Sequence, residues 1–272
     1  MPTGVDTCTN MRPSKRTLVL AALIAATWPV WRWMCHRFAD GSGDTWELLA
    51  ALTAIAVLVR DRDSQPSVAN LSIPAAFLLV YAASYSCLSP LPRGILAMAA
   101  VGAAISALWY GKRVEVALCG LLLISLPVMA SLNFYLGYPL RVAAGSITEV
   151  LLQMNGVAAF REGAQLQWNG QSIAIDAPCS GVKMLWTGAY LSFSLAALMR
   201  LSALRTVALA LLSVVVVILA NAIRATSLFY VEAGILEGPE LLHDAIGLVM
   251  FAFAAVAVFA LARKLGGYEH AY

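Results

Sequence analysis

The chain has 272 residues, 61% of them hydrophobic and only 12% charged, and its formal net charge is +3. Because a soluble domain carries about 25% charged residues, this composition excludes a water-soluble globular protein. It indicates an all-α, polytopic transmembrane helical bundle. The small positive charge is spread over many short loops and forms no basic face, which argues against nucleic acid as a partner.

Apolar segments approach the ~20 residues that a helix needs to span a bilayer at about eight places. In chain order these predicted spans are 17–35, 46–60, 70–88, 94–110, 114–132, 180–199, 203–223 and 242–262. The first is expected to remain as an anchor, because it lacks a clear small-x-small cleavage site and further spans follow it.

The spans predict that residues 1–272 form a single integral membrane domain. Residues 1–16 are a cytoplasmic tail, 17–132 hold five spans, 133–178 form an extracytoplasmic loop, and 179–263 form a core of three spans. The orientation follows from Lys and Arg, because every loop assigned to the inner side carries a basic pair. Both termini are therefore expected in the cytoplasm and the protein in the inner (cytoplasmic) membrane, where it contacts membrane lipid.

The extracytoplasmic loop contains two predicted elements before the sixth span. Pro139–Met154 alternates apolar and polar residues with helical spacing, which predicts an amphipathic helix on the membrane surface. Asn169-Gly170, with alternating residues on each side, predicts a β-hairpin because this pair suits a type I′ turn. The hairpin leads directly into Cys179.

Three chemically active side chains are expected at one depth near the outer face. Cys179 begins the sixth span, Arg224 ends the seventh, and His243 begins the eighth. Taken singly, the cysteine is typical of a packed small hydrophobe, the arginine of an interfacial anchor, and the histidine of a helix start. Their convergence on consecutive helices favours a functional site, since ionisable groups embedded in apolar helices are costly.

The residue types fit nucleophilic acyl chemistry. Pro178 suits the first turn of a helix, so Cys179 should lie near a helix N-terminus, where the dipole stabilises a thiolate. His243 would act as general base and then as acid to the leaving amine, and Arg224 would stabilise the oxyanion. This chemistry needs no metal and no cofactor.

The ordered motifs APCSG at 177–181, N-x-x-R at 221–224 and H-x-x-x-G at 243–247 resemble those of the exosortase/archaeosortase family of membrane cysteine transpeptidases. The resemblance is good over 174–250 and implies that Cys179, Arg224 and His243 are the catalytic set. Lys183 departs from the Arg or Gln that many relatives carry after the CSG.

The resemblance also implies a substrate class. Such enzymes cleave C-terminal, PEP-CTERM-like sorting signals of secreted proteins, in which a short motif such as Pro-Glu-Pro precedes one membrane span and a basic tail. The thiolate would form a thioester acyl-enzyme, which an amine or water would resolve. Additional candidates for substrate binding are Ser180, Lys183, Trp168, Trp186, Asn221 and Asp176.

Two other classes of protein remain as alternatives. One is a transporter or channel with a polar cluster at the outer face. Transporters typically have polar residues near the midplane of the membrane and broken helices at matched positions in two halves. A metal site would use Cys35, His36, Cys179 and His243, although no tight ligand spacing is present.

Overall fold

The computed structural model describes residues 15–40, 45–62, 70–174, 180–236, 239 and 241–267. Within these residues the chain is mostly helical. The helices are α1 Lys15–Ala26, α2 Trp28–Ala39, α3 Glu47–Arg60, α4 Ser72–Ser84, α5 Pro90–Tyr110, α6 Val116–Ile124, α7 Met129–Met154, α8 Val182–Leu198, α9 Ala203–Glu232 and α10 Leu241–Gly266. Three short strands lie between α7 and α8, namely β1 Phe160–Glu162, β2 Gln165–Trp168 and β3 Gln171–Ala174.

Helix lengths support a membrane bundle, but they do not confirm eight spans. Among the described residues, α5, α9 and α10 are long and apolar enough to cross a bilayer, and the number rises to five if two bent helix pairs each count as one span. α4 and α8 are apolar but shorter. The all-α class is therefore confirmed, together with one small sheet.

Both bent pairs interrupt a segment that the sequence predicts as one continuous span. α1 and α2 meet at 68°, and α6 and α7 meet at 94°. Pro29 follows the first break and Pro127 lies within the second, and a proline cannot donate to the helical hydrogen-bond ladder. At the first break the buried Thr27 hydroxyl donates to the Leu23 carbonyl over 2.9 Å, which satisfies one acceptor at the end of α1.

The predicted surface helix Pro139–Met154 is part of a longer element. α7 begins at Met129 and continues through Pro139 to Met154. Ala144 and Gly145 on this helix are buried, and the Thr148 hydroxyl donates to the Ala222 carbonyl of α9 over 3.2 Å. Because this face packs on α9, a separate helix lying on the membrane surface is not confirmed.

The β-hairpin is present, and the sheet has a third strand that the sequence analysis does not predict. β2 and β3 pair antiparallel around Asn169 and Gly170, whose φ angles of 48° and 76° fit a type I′ turn. β1 adds to β2 through a second tight turn. The paired residues Leu166 and Ile173 are buried against Leu152 of α7 and the end of α9.

A cluster around Asp61 joins the ends of three helices. The Asp61 carboxylate, which follows α3, accepts hydrogen bonds from Arg60, from Tyr110 at the end of α5 (3.0 Å) and from Arg200 after α8 (3.0 Å). Arg60 also donates to the Ala197 carbonyl of α8 over 3.0 Å. These contacts place the ends of α3, α5 and α8 at one face of the bundle, called the Asp61 face below.

The opposite face is where α5 and α8 begin, and it is called the site face below. α9 and α10 complete this arrangement, because each of them packs against the other and against α8. At the Asp61 face the end of α10 approaches the α8–α9 connection, where a side chain on Gly266 would overlap Met199. α10 therefore begins and α9 ends at the site face.

We expect Asp61→Asn to destabilise the bundle by about 1–3 kcal/mol near neutral pH, because three donors lose a charged acceptor. The hydrogen bond from Arg60, with help from Tyr110 and Arg200, lowers the pKa of Asp61. Its contribution is therefore present above the unfolded pKa of about 3.9 and is lost as pH falls through the folded value. Thermal unfolding in detergent across pH measures both effects.

Asp40→Asn is the matched control, because the exposed Asp40–Arg37 pair also has a 2.8 Å contact but is worth only about 0–1 kcal/mol. Equal losses of stability in the two variants would contradict the structural role of the Asp61 cluster.

Candidate active site

Two of the three predicted catalytic residues, Arg224 and His243, lie toward the site face. Cys179 and Asp176 lie outside the described residues, which resume at Ser180 directly before α8. Arg224 lies about two turns before the end of α9, and His243 lies in the first turn of α10. The mutual packing of α8, α9 and α10 therefore brings the start of α8, Arg224 and His243 to the same end of the bundle.

Asn221 connects α9 to the start of α8. Its side chain is 3% exposed, and its amide nitrogen lies 2.9 Å from the position that a Cβ on Gly181 would occupy. Gly181 also has a φ of 79°, a conformation that side chains of L-residues rarely adopt. Glycine is thus required at this position for two reasons, the positive φ angle of the backbone and the close approach of Asn221.

Arg224 connects α9 to α10 at the same level. Its Nε lies 3.4 Å, and its Cζ 3.6 Å, from the position that a Cβ on Gly247 would occupy. His243 precedes Gly247 by four residues, which places the two on one face of α10. The half-buried imidazole therefore lies one turn from the residue that the guanidinium contacts. Asp244 is exposed and lies on a different face.

The small sheet packs against the end of α9 beside Arg224. The ring of Trp168 on β2 lies edge-on to Phe229, with 6.0 Å between centroids. Ile246 of α10 packs against the buried cluster that contains Leu228 and Phe229. β3 then ends at Ala174, which is five residues before Cys179 in the sequence.

The remaining predicted residues differ in their surroundings. Ser180 is 4% exposed, and its hydroxyl accepts a hydrogen bond from the Val182 amide over 3.5 Å. Lys183 is exposed. Trp186 is buried, and its indole N–H donates to the Ile124 carbonyl over 3.1 Å, at the end of α6 where the helix leaves acceptors open. Trp186 therefore holds the α6–α7 bend against α8.

Lys183 and Trp186 also line a cavity of about 400 Å³ beside the first turns of α8. Tyr190, whose ring stacks on Trp186 at 5.6 Å, and Phe251 of α10 contribute to its walls. Sequence analysis does not single out Tyr190 or Phe251. The spacing of Lys183, Trp186 and Tyr190 along one face of α8 is the signal that would have found the first.

Among the described residues, no group of three His, Cys, Asp or Glu side chains could hold a metal ion. Cys35 is exposed and free. The metal alternative also uses Cys179, and that part of it lies outside the described residues.

A family model described as transmembrane exosortase matches residues 11–260, nearly the whole chain. The protein belongs to the transmembrane exosortase family. The match extends through the five predicted N-terminal spans, well beyond the motif-bearing part of the chain. No curated protein and no solved structure matches this exosortase.

We expect Gly181→Ala to destabilise the exosortase more than Gly156→Ala. The two glycines have nearly equal φ angles, 79° and 78°, so both alanines incur a backbone cost of about 1–2 kcal/mol. Only the alanine at 181 also collides with Asn221, which adds about 1–3 kcal/mol of overpacking. Thermal unfolding of both variants measures the difference. Equal melting temperatures would contradict the Asn221–Gly181 contact.

Proposed function

We propose that this exosortase is a membrane-embedded cysteine transpeptidase or protease that cleaves C-terminal sorting signals of secreted proteins. In this proposal Cys179 is the nucleophile, His243 the acid and base, and Arg224 the oxyanion stabiliser. Membership of the exosortase family supports the enzyme over the transporter alternative.

The observation that carries the proposal is the pair of contacts made by α9. Asn221 reaches Gly181, two residues after Cys179, and Arg224 reaches Gly247, one turn after His243. Two neighbouring positions of a single helix thus connect the starts of α8 and α10. This arrangement supports a site to which three helices contribute a nucleophile, a cation and an imidazole.

The proposed reaction has two balanced steps. The Cys179 thiolate attacks the substrate carbonyl carbon, a C–S bond forms, and the peptide C–N bond breaks as the leaving nitrogen takes a proton from His243. An amine or water then attacks the thioester carbonyl and transfers its proton to His243. The C–S bond breaks, and the Cys179 thiolate is released. In both tetrahedral intermediates the negative oxygen would be stabilised by Arg224.

The surroundings support a peptide substrate that approaches along the site face. The exposed Lys183 stands at the edge of the apolar cavity beside α8, and Trp168 lies on the sheet that precedes the nucleophile. We assign Lys183, Ser180, Trp168, Trp186, Asn221 and Asp176 to substrate binding or to positioning of the substrate segment.

In the proposed orientation, the site face is on the extracytoplasmic side of the cytoplasmic membrane. Basic residues occur in pairs at the Asp61 face, and the positive-inside rule assigns such loops to the cytoplasm. The pairs are Arg60 and Arg62 at the end of α3, Lys112 and Arg113 after α5, and Arg200 and Arg205 between α8 and the first turn of α9. The termini then lie in the cytoplasm, and a secreted protein meets the catalytic residues after translocation.

A processing assay tests the three roles. A secreted reporter with a C-terminal motif, span and basic tail is co-expressed with each variant, and maturation is followed by immunoblot. We expect Cys179→Ala to abolish cleavage. We expect His243→Ala to slow it about 10²–10⁴-fold, through loss of acid–base catalysis, and Arg224→Ala to slow it about 10²–10³-fold.

Arg205→Ala is the matched control for Arg224→Ala. Both arginines belong to α9, but Arg205 lies in the first turn, at the Asp61 face. This variant should keep wild-type cleavage. Maturation that survives all three catalytic-site substitutions would overturn the assignment.

Thiol alkylation near neutral pH tests the activated nucleophile independently of substrate. Cys35 and Cys87 are free and exposed, so access alone predicts that they react first. A thiolate at a helix start beside cationic side chains reacts faster than an ordinary thiol, and we expect Cys179 to be labelled ahead of both. Mass spectrometry of timed samples gives the rates. Slower labelling of Cys179 than of Cys35 would contradict an activated thiolate.

A further inference from the structure

A second cavity at the site face has a different chemistry from the candidate active site. It has a volume of about 280 Å³ and lies between α2 and the connection from α4 to α5. Its polar and aromatic lining comprises Trp28, Arg32, Trp33, His36, Tyr85 and Arg93. Among the described residues that line it, none is acidic.

The position of this cavity follows from α5. Tyr110 at the end of α5 belongs to the Asp61 cluster, and the 21 residues of this helix span roughly 30 Å. Arg93 in its first turn is therefore at the site face. Trp33 of α2 lies at the same level, because its ring flanks Gly94, the residue after Arg93.

Arg93 is held at the wall of the cavity by two contacts. Its Nε donates to the Leu88 carbonyl over 2.6 Å, and its guanidinium carbon lies 4.5 Å from the centroid of the Tyr85 ring. These contacts fix the cation before any ligand arrives, which reduces the entropy lost on binding. The guanidinium also lies at the N-terminal end of α5, where the helix dipole is positive, so both attract an anion.

Arg32 and His36 provide donors from the other wall. They are four residues apart on α2, so they lie on one face of that helix, and both are exposed. Two arginines and a histidine therefore provide several hydrogen-bond donors around one cavity, and the described lining contains no carboxylate that would pair with them. Arginines suit phosphate in particular, because their planar fork matches its oxygens.

The aromatic walls indicate that the phosphate belongs to a lipid. Trp28 is 57% exposed although it is a large apolar side chain, and Trp33 and Tyr85 stand beside it. Trp and Tyr are enriched where lipid headgroups meet the hydrocarbon core. The basic loops that set membrane orientation lie at the Asp61 face, so the cations of this cavity need a separate, local explanation.

We propose that this cavity binds the phosphate headgroup of a membrane phospholipid from the leaflet at the site face. Arg32, His36 and Arg93 donate to the phosphate oxygens, while Trp28, Trp33 and Tyr85 contact the glycerol and the first carbons of the acyl chains. The exosortase then carries a defined lipid beside its N-terminal helices, separate from the candidate catalytic residues.

Binding of phosphatidylglycerol to the purified, full-length protein in detergent tests the proposal, with native mass spectrometry as the readout. We expect Arg32→Ala and His36→Ala each to weaken retention of the lipid about tenfold, the loss expected for one charged hydrogen bond. Both side chains are exposed, so the fold should persist, and a melting temperature equal to that of the wild type verifies this.

Arg37→Ala is the matched control. It removes the same charge from the same helix, but Arg37 pairs with Asp40 at 2.8 Å and does not line the cavity. This variant should retain the lipid as the wild type does. Equal weakening by Arg37→Ala and Arg32→Ala would overturn the site, since the cations would then act only as diffuse surface charge.

A second arm separates a lipid headgroup from free phosphate. Inorganic phosphate is titrated against retained phosphatidylglycerol, and we expect no displacement at millimolar concentrations because phosphate lacks the apolar contacts. Displacement at micromolar phosphate would overturn the lipid assignment. Neither arm requires cleavage activity, so the outcome is independent of the proposed catalytic roles.

Discussion

Close packing of α9 against α8 and α10 is the constraint on which the site face depends. Gly181 and Gly188 of α8 and Gly247 of α10 each leave space that a side chain of α9 fills or borders. Helices in a bilayer gain little from the hydrophobic effect, because lipid tails are as apolar as leucine, so small residues that permit close approach carry much of their association. A larger residue at Gly181 or Gly188 would push α8 away from α9.

This packing gives a physical reason for the spacing of two motifs. Positions three apart on an α-helix differ by about 60° around its axis, so Asn221 and Arg224 point to different neighbours. One contacts the start of α8 and the other the start of α10. In the H-x-x-x-G motif, a full turn separates His243 from the glycine that lies beside the guanidinium. The spacings therefore describe contacts among three helices as much as chemistry.

The sequence was sufficient to predict the elements whose signals are local. The Asn169-Gly170 turn specified its hairpin, because both residues tolerate positive φ. The predicted order of apolar segments matches the order of the helices. Hydropathy does not indicate the breaks between α1 and α2 and between α6 and α7. Its average over a window that contains Thr27 or Pro127 carries no information about the direction of the helix axis. The predicted helix start at Pro139 is wrong, because α7 begins at Met129 and continues through this proline.

Contacts between distant positions could not be predicted in the same way. Asp61 meets Arg200 across 139 positions, and nothing near Asp61 distinguishes this carboxylate from one in a solvated loop. At the candidate site, the sequence analysis ends the seventh span at Arg224, whereas α9 continues to Glu232. The sequence does place Asn221 and Arg224 in the second half of that helix. It could not show that Asn221 packs on Gly181 or that Trp186 bonds to the α6–α7 bend. Those facts depend on helix rotation, which composition and charge leave undetermined.

The position of Arg224 also bears on why an apolar helix tolerates it. A charged side chain at the centre of a bilayer costs about 2.5–3.5 kcal/mol on insertion scales, and the cost falls toward the interface. Arg224 lies about two turns before the end of α9, is half-buried, and has its guanidinium close to Gly247 of α10. A guanidinium that served only as an anchor would extend to the headgroups. Because this one approaches α10 one turn from His243, its position supports the proposed role of Arg224 at the active site.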